Sequence, residues 1–172
     1  MIDELDGHRI FIDDDPDTTL ANLRSKARRQ QMQHGLNLLI IDYLQLIQVT
    51  DREAGESLYQ RMTYISKNLK NLARELQCPI IALSQLNRLC EGRNPPIPVL
   101  SDLRDSGAIE QDADSVLMIY RQDYYDEDCD QPNIADVYVR KNRHGDTGRV
   151  ELFFDRKRTT FTSLEKRNIA ST

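Results

Sequence analysis

Leu38-Leu39-Ile40-Ile41-Asp42-Tyr43-Leu44-Gln45-Leu46 is the stretch on which the fold turns. Four consecutive aliphatic residues that end in a carboxylate read as a strand buried on both faces, with Asp42 at its carboxyl edge. In open parallel sheets, ligands bind outside the carboxyl ends of the strands. A strand-terminal Asp is therefore well placed to meet a metal ion and the phosphate it carries. Aliphatic runs ending in Asp occur in many α/β proteins, so the flanking sequence has to decide.

Downstream, Gln48 to Glu56 is polar, carries Gly55 and reads as a loop. A long helix is predicted from about Glu56 to Leu76, with Leu58, Met62, Ile65, Leu69, Leu72 and Leu76 spaced 4, 3, 4, 3 and 4. That spacing makes one apolar stripe for packing on a sheet or a neighbouring helix. The helix stops before Cys78-Pro79, and Pro79-Ile80-Ile81-Ala82-Leu83-Ser84-Gln85 reads as a second buried strand ending in an amide. Strand, amphipathic helix and strand form a βαβ unit with a right-handed crossover, which brings Asp42 and Gln85 to one sheet edge. A nucleotide-hydrolysing site needs a carboxylate on the metal and a group that senses the terminal phosphate, and this pair fits both. The plainer reading of Gln85 is a strand-end amide that satisfies loop backbone.

Upstream, Arg9-Ile10-Phe11-Ile12-Asp13 reads as a short strand and Asp13 to Asp17 as a turn with helix-capping chemistry. A helix from about Thr18 to Gln33 carries Leu20, Leu23 and Ala27, and Gly35 suits its end. Its Arg24, Lys26, Arg28 and Arg29 read as a solvated face, or more sharply as a partner or nucleic-acid surface. Asn87 to Leu100 is a proline-bearing loop leading into Ser101 to Asp114, which is unusually polar for a segment just before a buried strand, Ser115 to Tyr120. Ser101 suits a helix cap, and Gly107 suits close approach by another backbone. Long loops carrying Arg and Gly between core strands tend to be functional. Arg121 to Pro132 reads as an acidic surface loop. Ala135–Lys141 and Arg149–Phe154 form a β-hairpin around Asn142 to Asp146, with Lys141 and Arg143 near its tip. Those two cations belong either to a solvated hairpin or to a cationic finger that reaches a phosphate. Residues 1–165 make one domain, and 166–172 read as a frayed tail.

Composition narrows the function classes. The chain has 172 residues, 39% hydrophobic and 30% charged, which suits one soluble domain with a sizeable core. A net charge of −5 provides no overall basic footprint, so nucleic-acid contacts must come from local clusters. Cys78, Cys90 and Cys129 are scattered without a CxxC pair, which argues against a disulfide framework and a zinc site and fits a reducing cytoplasm. The N-terminus lacks the pattern of a signal peptide, and no apolar run of about 18 residues is present to span a membrane.

Taken in order, Asp42-Tyr43-Leu44-Gln45-Leu46, Ala82-Leu83-Ser84-Gln85-Leu86, Ser101-Asp102-Leu103-Arg104 through Gln111-Asp112-Ala113-Asp114, and Lys141-Asn142-Arg143-His144-Gly145 closely resemble the RecA-like ATPase domain of bacterial replicative DNA helicases, the DnaB family. The resemblance covers about residues 8–165. It implies an α/β, RecA-like P-loop NTPase core with a mostly parallel sheet, flanking helices and a C-terminal β-hairpin. It also implies a hexameric ring that uses ATP and Mg²⁺ to move 5′ to 3′ on single-stranded DNA, with primase and a helicase loader as partners of the longer parent. Asp42 then matches the Walker B carboxylate on Mg²⁺ and the attacking water, and Gln85 the group that couples the γ-phosphate to the DNA loops. Lys141 and Arg143 match cations that reach the neighbouring subunit's nucleotide. Arg104, Asp105 and Gly107 match a channel-lining loop that holds the DNA backbone.

One part of that pattern is missing. The glycines are 7, 35, 55, 92, 107, 145 and 148, and none is followed by lysine, so the sequence holds no Gly-x-x-x-x-Gly-Lys-Ser/Thr cradle. In the family this motif, and the glutamate taken as catalytic base, lie upstream of the Walker B strand. The expectation is therefore a partial domain, incomplete on its N-terminal side, with an exposed apolar strand edge and no ATP turnover of its own. The alternatives are a non-catalytic helicase remnant that joins or blocks intact rings, another RecA-like ATPase, and a metal-dependent nuclease built on acidic residues.

Overall fold

The computed structural model describes residues 9–126 and 128–164. The expected tail, 166–172, lies outside the described residues. Helix α1 (Leu20–His34) starts where Thr19 Oγ1 accepts from Asn22 N–H and ends at Gly35, whose φ of 78° is a conformation open to glycine. Strand β1 (Leu39–Ile41) follows. The expected loop after it contains a single-turn helix α2 (Asp51–Ala54), because Thr50 and Glu53 make a capping box. Ser57 and Gln60 make a second box that starts α3 (Leu58–Leu76). Strand β2 (Ile80–Ala82) then pairs parallel to β1, with Leu39, Ile40 and Ile41 opposite Ile80, Ile81 and Ala82. The predicted βαβ order and parallel pairing are both present.

The main core lies between this pair and its helices. Ala27, Ile41, Leu44, Ile47, Met62, Ile65, Leu69, Leu72 and Leu76 are buried together. The predicted α3 stripe holds except for Leu58, which is 52% exposed because it opens the helix beyond the edge of the core. Ser66 takes a buried place on the same face.

The strands are not buried on both faces as expected. Ile40 and Ile81 alternate away from α3 and are 59% and 50% exposed. Among the described residues no layer covers that side, so only half of each strand reaches the core. Leu38 and Leu83 are exposed as well, in keeping with an open apolar edge.

Residues 83–114 form no further strand. They run through 3₁₀ turns at Arg88–Gly92 and Leu100–Ser106 into a short helix α4 (Gly107–Asp112). Ser101 is not the cap of this segment: Asp102 Oδ2 accepts from Val99 N–H at 2.8 Å, and Arg93 closes on the same carboxylate at 2.8 and 2.5 Å. Strand β3 (Ser115–Tyr120), helix α5 (Gln122–Tyr125) and strands β4 (Ile134–Asn142), β5 (Gly148–Asp155) and β6 (Thr160–Ser163) complete the chain. The four strands form one antiparallel sheet in the order β3-β4-β5-β6. The predicted hairpin is its middle, and β6 adds a strand through Phe161, which packs on Phe154 at 4.9 Å between ring centres. β3 is likewise one-sided, with Met118 and Tyr120 buried and Leu117 and Ile119 exposed. The expected acidic loop contains α5 and a buried carboxylate, Asp123.

The strand expected at Arg9–Asp13 does not form. Ile10, Phe11 and Ile12 are exposed with no strand beside them among the described residues, and an extended segment without a partner is not a strand. Three of the four cations on the basic face of α1 are engaged internally: Arg24 and Arg28 both meet Glu75, and Lys26 meets Asp13 and Asp15, while Arg29 is exposed.

Candidate nucleotide and nucleic-acid site

Asp42 follows the last residue of β1 and is exposed. Beyond it the chain stays tied to β2's continuation, since Leu83 N–H donates to Ile41 O at 2.9 Å and Leu44 N–H to Leu83 O at 2.9 Å. Leu44 is buried under α3, so the backbone on both sides of Asp42 is pinned while its carboxylate is not. Among the described residues it has no hydrogen-bond or ion-pair partner. An unengaged carboxylate at a strand's carboxyl end, held by rigid backbone, is the donor chemistry that Mg²⁺ takes.

The strand expected over Pro79–Gln85 is confined to Ile80–Ala82, so Gln85 lies three residues beyond its end, and it is also exposed. Its backbone is braced by a residue that sequence reasoning passed over. Gln45 donates from Nε2 to Ser84 Oγ at 3.2 Å and accepts from Gln85 N–H at 3.4 Å. The signal was available, because Gln45 is a polar residue inserted between Leu44 and Leu46 at the same edge. Asp42 thus directly follows β1, and Gln85 lies three residues beyond the end of the adjacent parallel strand β2.

The other site residues lie around α4. Gly107 opens that helix with φ −53°, an ordinary helical value. Among the described residues a Cβ built there would meet only Tyr59 Cε2, at 3.7 Å, so nothing among them requires glycine. Arg104 and Asp105 fall in the 3₁₀ turn immediately before it. That turn is anchored by Asp102, whose carboxyl is held below its ordinary range by the Arg93 hydrogen bonds.

Lys141 and Arg143 do not extend from a hairpin tip. Both fold onto the carboxyl end of α4, where Lys141 Nζ donates to Glu110 O at 2.5 Å and to Gln111 O at 3.1 Å. Arg143 meets Asp114 Oδ1 at 2.9 Å and Gln111 O at 3.3 Å. Asp114 also accepts from Lys70 Nζ at 2.6 Å, and that contact, first among its neighbours, lowers the carboxyl's pKa. The structure therefore gathers the candidate sites into two groups: Asp42 with Gln85, and segment 104–107 with Lys141 and Arg143.

A parallel αβ unit with a free carboxylate just past β1, joined to an antiparallel sheet whose cations pack on a polar connecting segment, matches the RecA-like ATPase fold that the sequence motifs imply. The comparisons agree. A family model described as "DnaB-like helicase C terminal domain" matches residues 1–163, and the chain belongs to that family. It is 46% identical over 158 residues to the replicative DNA helicase DnaB of Geobacillus stearothermophilus, covering 92% of this chain and 35% of that protein. It is 42% identical over 180 residues to DnaB of Rickettsia felis, covering 95% of this chain and 36% of that protein. The chain thus spans about a third of the length of the curated relatives it matches. Among solved structures, one described as an ATPase domain superimposes with a TM-score of 0.88 at 39% identity, covering 95% of this chain and 58% of that one. A DnaB-like replicative helicase, described with its interactions with primase, also gives 0.88 at 39% identity, covering 95% and 40%.

Proposed function

We propose that this chain serves as part of a replicative DNA helicase that couples ATP hydrolysis, in a hexameric ring in the cytoplasm, to 5′–3′ movement on single-stranded DNA and separation of the duplex. The observation that carries the reading is the free, backbone-pinned carboxylate of Asp42 just past the parallel strand β1, in a chain of the DnaB-like family. Asp42 would hold Mg²⁺. ATP bound with that ion supplies the phosphoryl chemistry, in which catalysis is chiefly positioning and charge stabilisation. Gln85 senses the terminal phosphate and passes the state of the site along the Gln45-braced strand end. Lys141 and Arg143 approach the nucleotide of an adjacent copy. Arg104, Asp105 and Gly107 hold the DNA backbone, where contacts to phosphate and sugar confer affinity without sequence preference. Primase and a helicase loader are the protein partners this reading expects; the likeness to a helicase described with primase supports the first.

These 172 residues contain no phosphate cradle, so the chain alone neither holds ATP strongly nor turns it over. The test is Mg-ATP binding and single-stranded-DNA-stimulated hydrolysis by this chain, with Asp42→Asn as control. Absence of turnover is the expected result. Turnover that disappears in Asp42→Asn would mean that another segment replaces the cradle and that this account of the site is wrong.

A further inference from the structure

Helix α4 is only 6 residues long, yet both halves of the second site converge on it. Its amino end is Gly107, which completes segment 104–107. Its carboxyl end receives Lys141 and Arg143, whose donors meet carbonyls that have no partner within the helix. Two further ties fasten the carboxyl end of the helix and the residues just after it. Ser66 of α3 donates to Asp112 Oδ2 at 2.8 Å, and Lys70 of α3 shares Asp114 with Arg143. Arg143 is also fixed through its backbone, with N–H donating to Asp114 O at 2.8 Å.

The donor count leaves room for a second ligand. Arg143 commits one N–H from each terminal nitrogen and is still exposed, so its Nε–H and the remaining terminal hydrogens are free to face outward. Lys141 commits two of an ammonium's three donors. Each cation is therefore oriented by its own chain while keeping donors for an anion.

We propose that Asp114 is a positioning residue for Arg143, and that α4 rigidly links segment 104–107 to Lys141 and Arg143, so that whatever grips one end of the helix reorients the cations at the other. The link is a matter of contacts within the chain; its service to DNA and nucleotide rests on the helicase reading above.

The test uses the full chain, isotopically labelled, with amide hydrogen exchange along Gly107–Asp112 and the NMR signal of the Arg143 Nε–H. Lys141→Met is expected to speed exchange along all of α4 about tenfold, as loss of charge-assisted hydrogen bonds at a helix end should, with β4 and β5 amides unchanged. Lys141→Arg should restore protection. Asp114→Asn should shift and broaden the Arg143 signal, and Asp114→Glu should recover part of it, which general loosening would not do. An α4 that does not respond to Lys141→Met, or an Arg143 signal indifferent to Asp114→Asn, overturns the proposal. Binding of a fluorescent oligo-dT is read in the same samples. Exchange responses without DNA binding keep the link and refute the DNA reading, whereas DNA binding without exchange responses refutes the link alone.

Discussion

Replacing Asp123 by Ala should unfold more of this protein than any surface change near the candidate sites. The carboxylate is 2% exposed, yet it is charged and fully partnered. It accepts from Asn133 N–H at 2.8 Å, Arg121 Nε at 3.1 Å and Arg156 Nε at 3.1 Å. Those partners lie between β3 and α5, at the entry to β4 and in the β5–β6 turn, so one side chain joins three parts of the antiparallel sheet. Removing one member of a buried pair costs about 3–5 kcal/mol, because the remaining charges are left uncompensated. Arg156 is half-exposed and rehydrates, while Arg121 lies over the Phe154 ring at 4.1 Å and cannot rehydrate as easily. The lower end of the range, about 3 kcal/mol, is therefore expected. With a urea dependence of about 2 kcal/mol per molar, the midpoint should fall by about 1.5 M in urea unfolding followed by circular dichroism at pH 7. The pH dependence is a second handle. Burial pushes the Asp123 carboxyl up, but the Asn133 N–H and the two arginines outweigh it and hold the group below its ordinary value. Its contribution is present above that ordinary value, about 4, and is lost as pH falls through the lower folded value, so wild type and Asp123→Asn should converge in stability only in acid below about pH 4. A midpoint loss under about 0.5 M at pH 7, or a difference that does not narrow in acid, would refute this reasoning.

Three further outcomes separate architecture from chemistry. Ile65→Ala, at 1% exposure in the centre of the α3 stripe, should cost about 2–5 kcal/mol in the same urea assay, with the spread set by how far the site collapses. Asp42→Asn should leave that midpoint within about 0.5 kcal/mol of wild type, because the carboxylate has no partner among the described residues, while abolishing hydrolysis wherever the chain is assembled with a complete phosphate cradle. Gly107→Ala should be neutral or stabilise by up to about 1 kcal/mol, since its φ is helical and the new methyl meets only Tyr59; a fall in oligo-dT affinity in that variant would then report lost close approach and not lost folding.

What could be read from sequence follows from how local each feature is. The α3 stripe is a single periodic signal, and its burial came out as read apart from Leu58 at the first turn. The strand end at Asp42 was legible for the same reason, since a run of aliphatic residues broken by one polar group marks its own boundary, whereas the strand expected to end at Gln85 stops at Ala82, where pairing with the three-residue β1 runs out. Whether a strand is covered on one face or two depends on a second layer, and Leu38–Ile41 contains no information about that layer. Arg9–Asp13 failed for the related reason that a strand requires a neighbour. Short β6 was hidden because Thr160–Ser163 gains its place only through pairing with β5 and the contact of Phe161 with Phe154. The Arg93–Asp102 pair and the seat of Arg143 on Asp114 are side-chain contacts across loops, which no periodicity announces.

The polar residues divide by engagement, and the division separates residues that hold the fold from residues that await a ligand. Arg24, Arg28 and Lys26, three of the four cations in the most basic-looking cluster of the sequence, pair with Glu75, Asp13 and Asp15 within the chain, which leaves Arg29 as the cluster's exposed cation. Asp102, Asp123 and Asp136 are buried and paired with arginines, so they hold loops and strands in place. Asp42 is different: its backbone is fixed on both sides by hydrogen bonds to Leu83, and its carboxylate is left exposed. Arg143 is intermediate, seated by Asp114 on one edge and open on the other. A side chain carried on fixed backbone but left unsatisfied contributes little to folding and stays available to an outside ligand, and the fixed backbone lowers the entropy lost when that ligand binds. On that criterion a conservative change should act through chemistry at Asp42, through stability at Asp123, and through both at Arg143, where Arg143→Lys keeps the charge but loses the planar fork that lets one guanidinium face Asp114 and an incoming anion together.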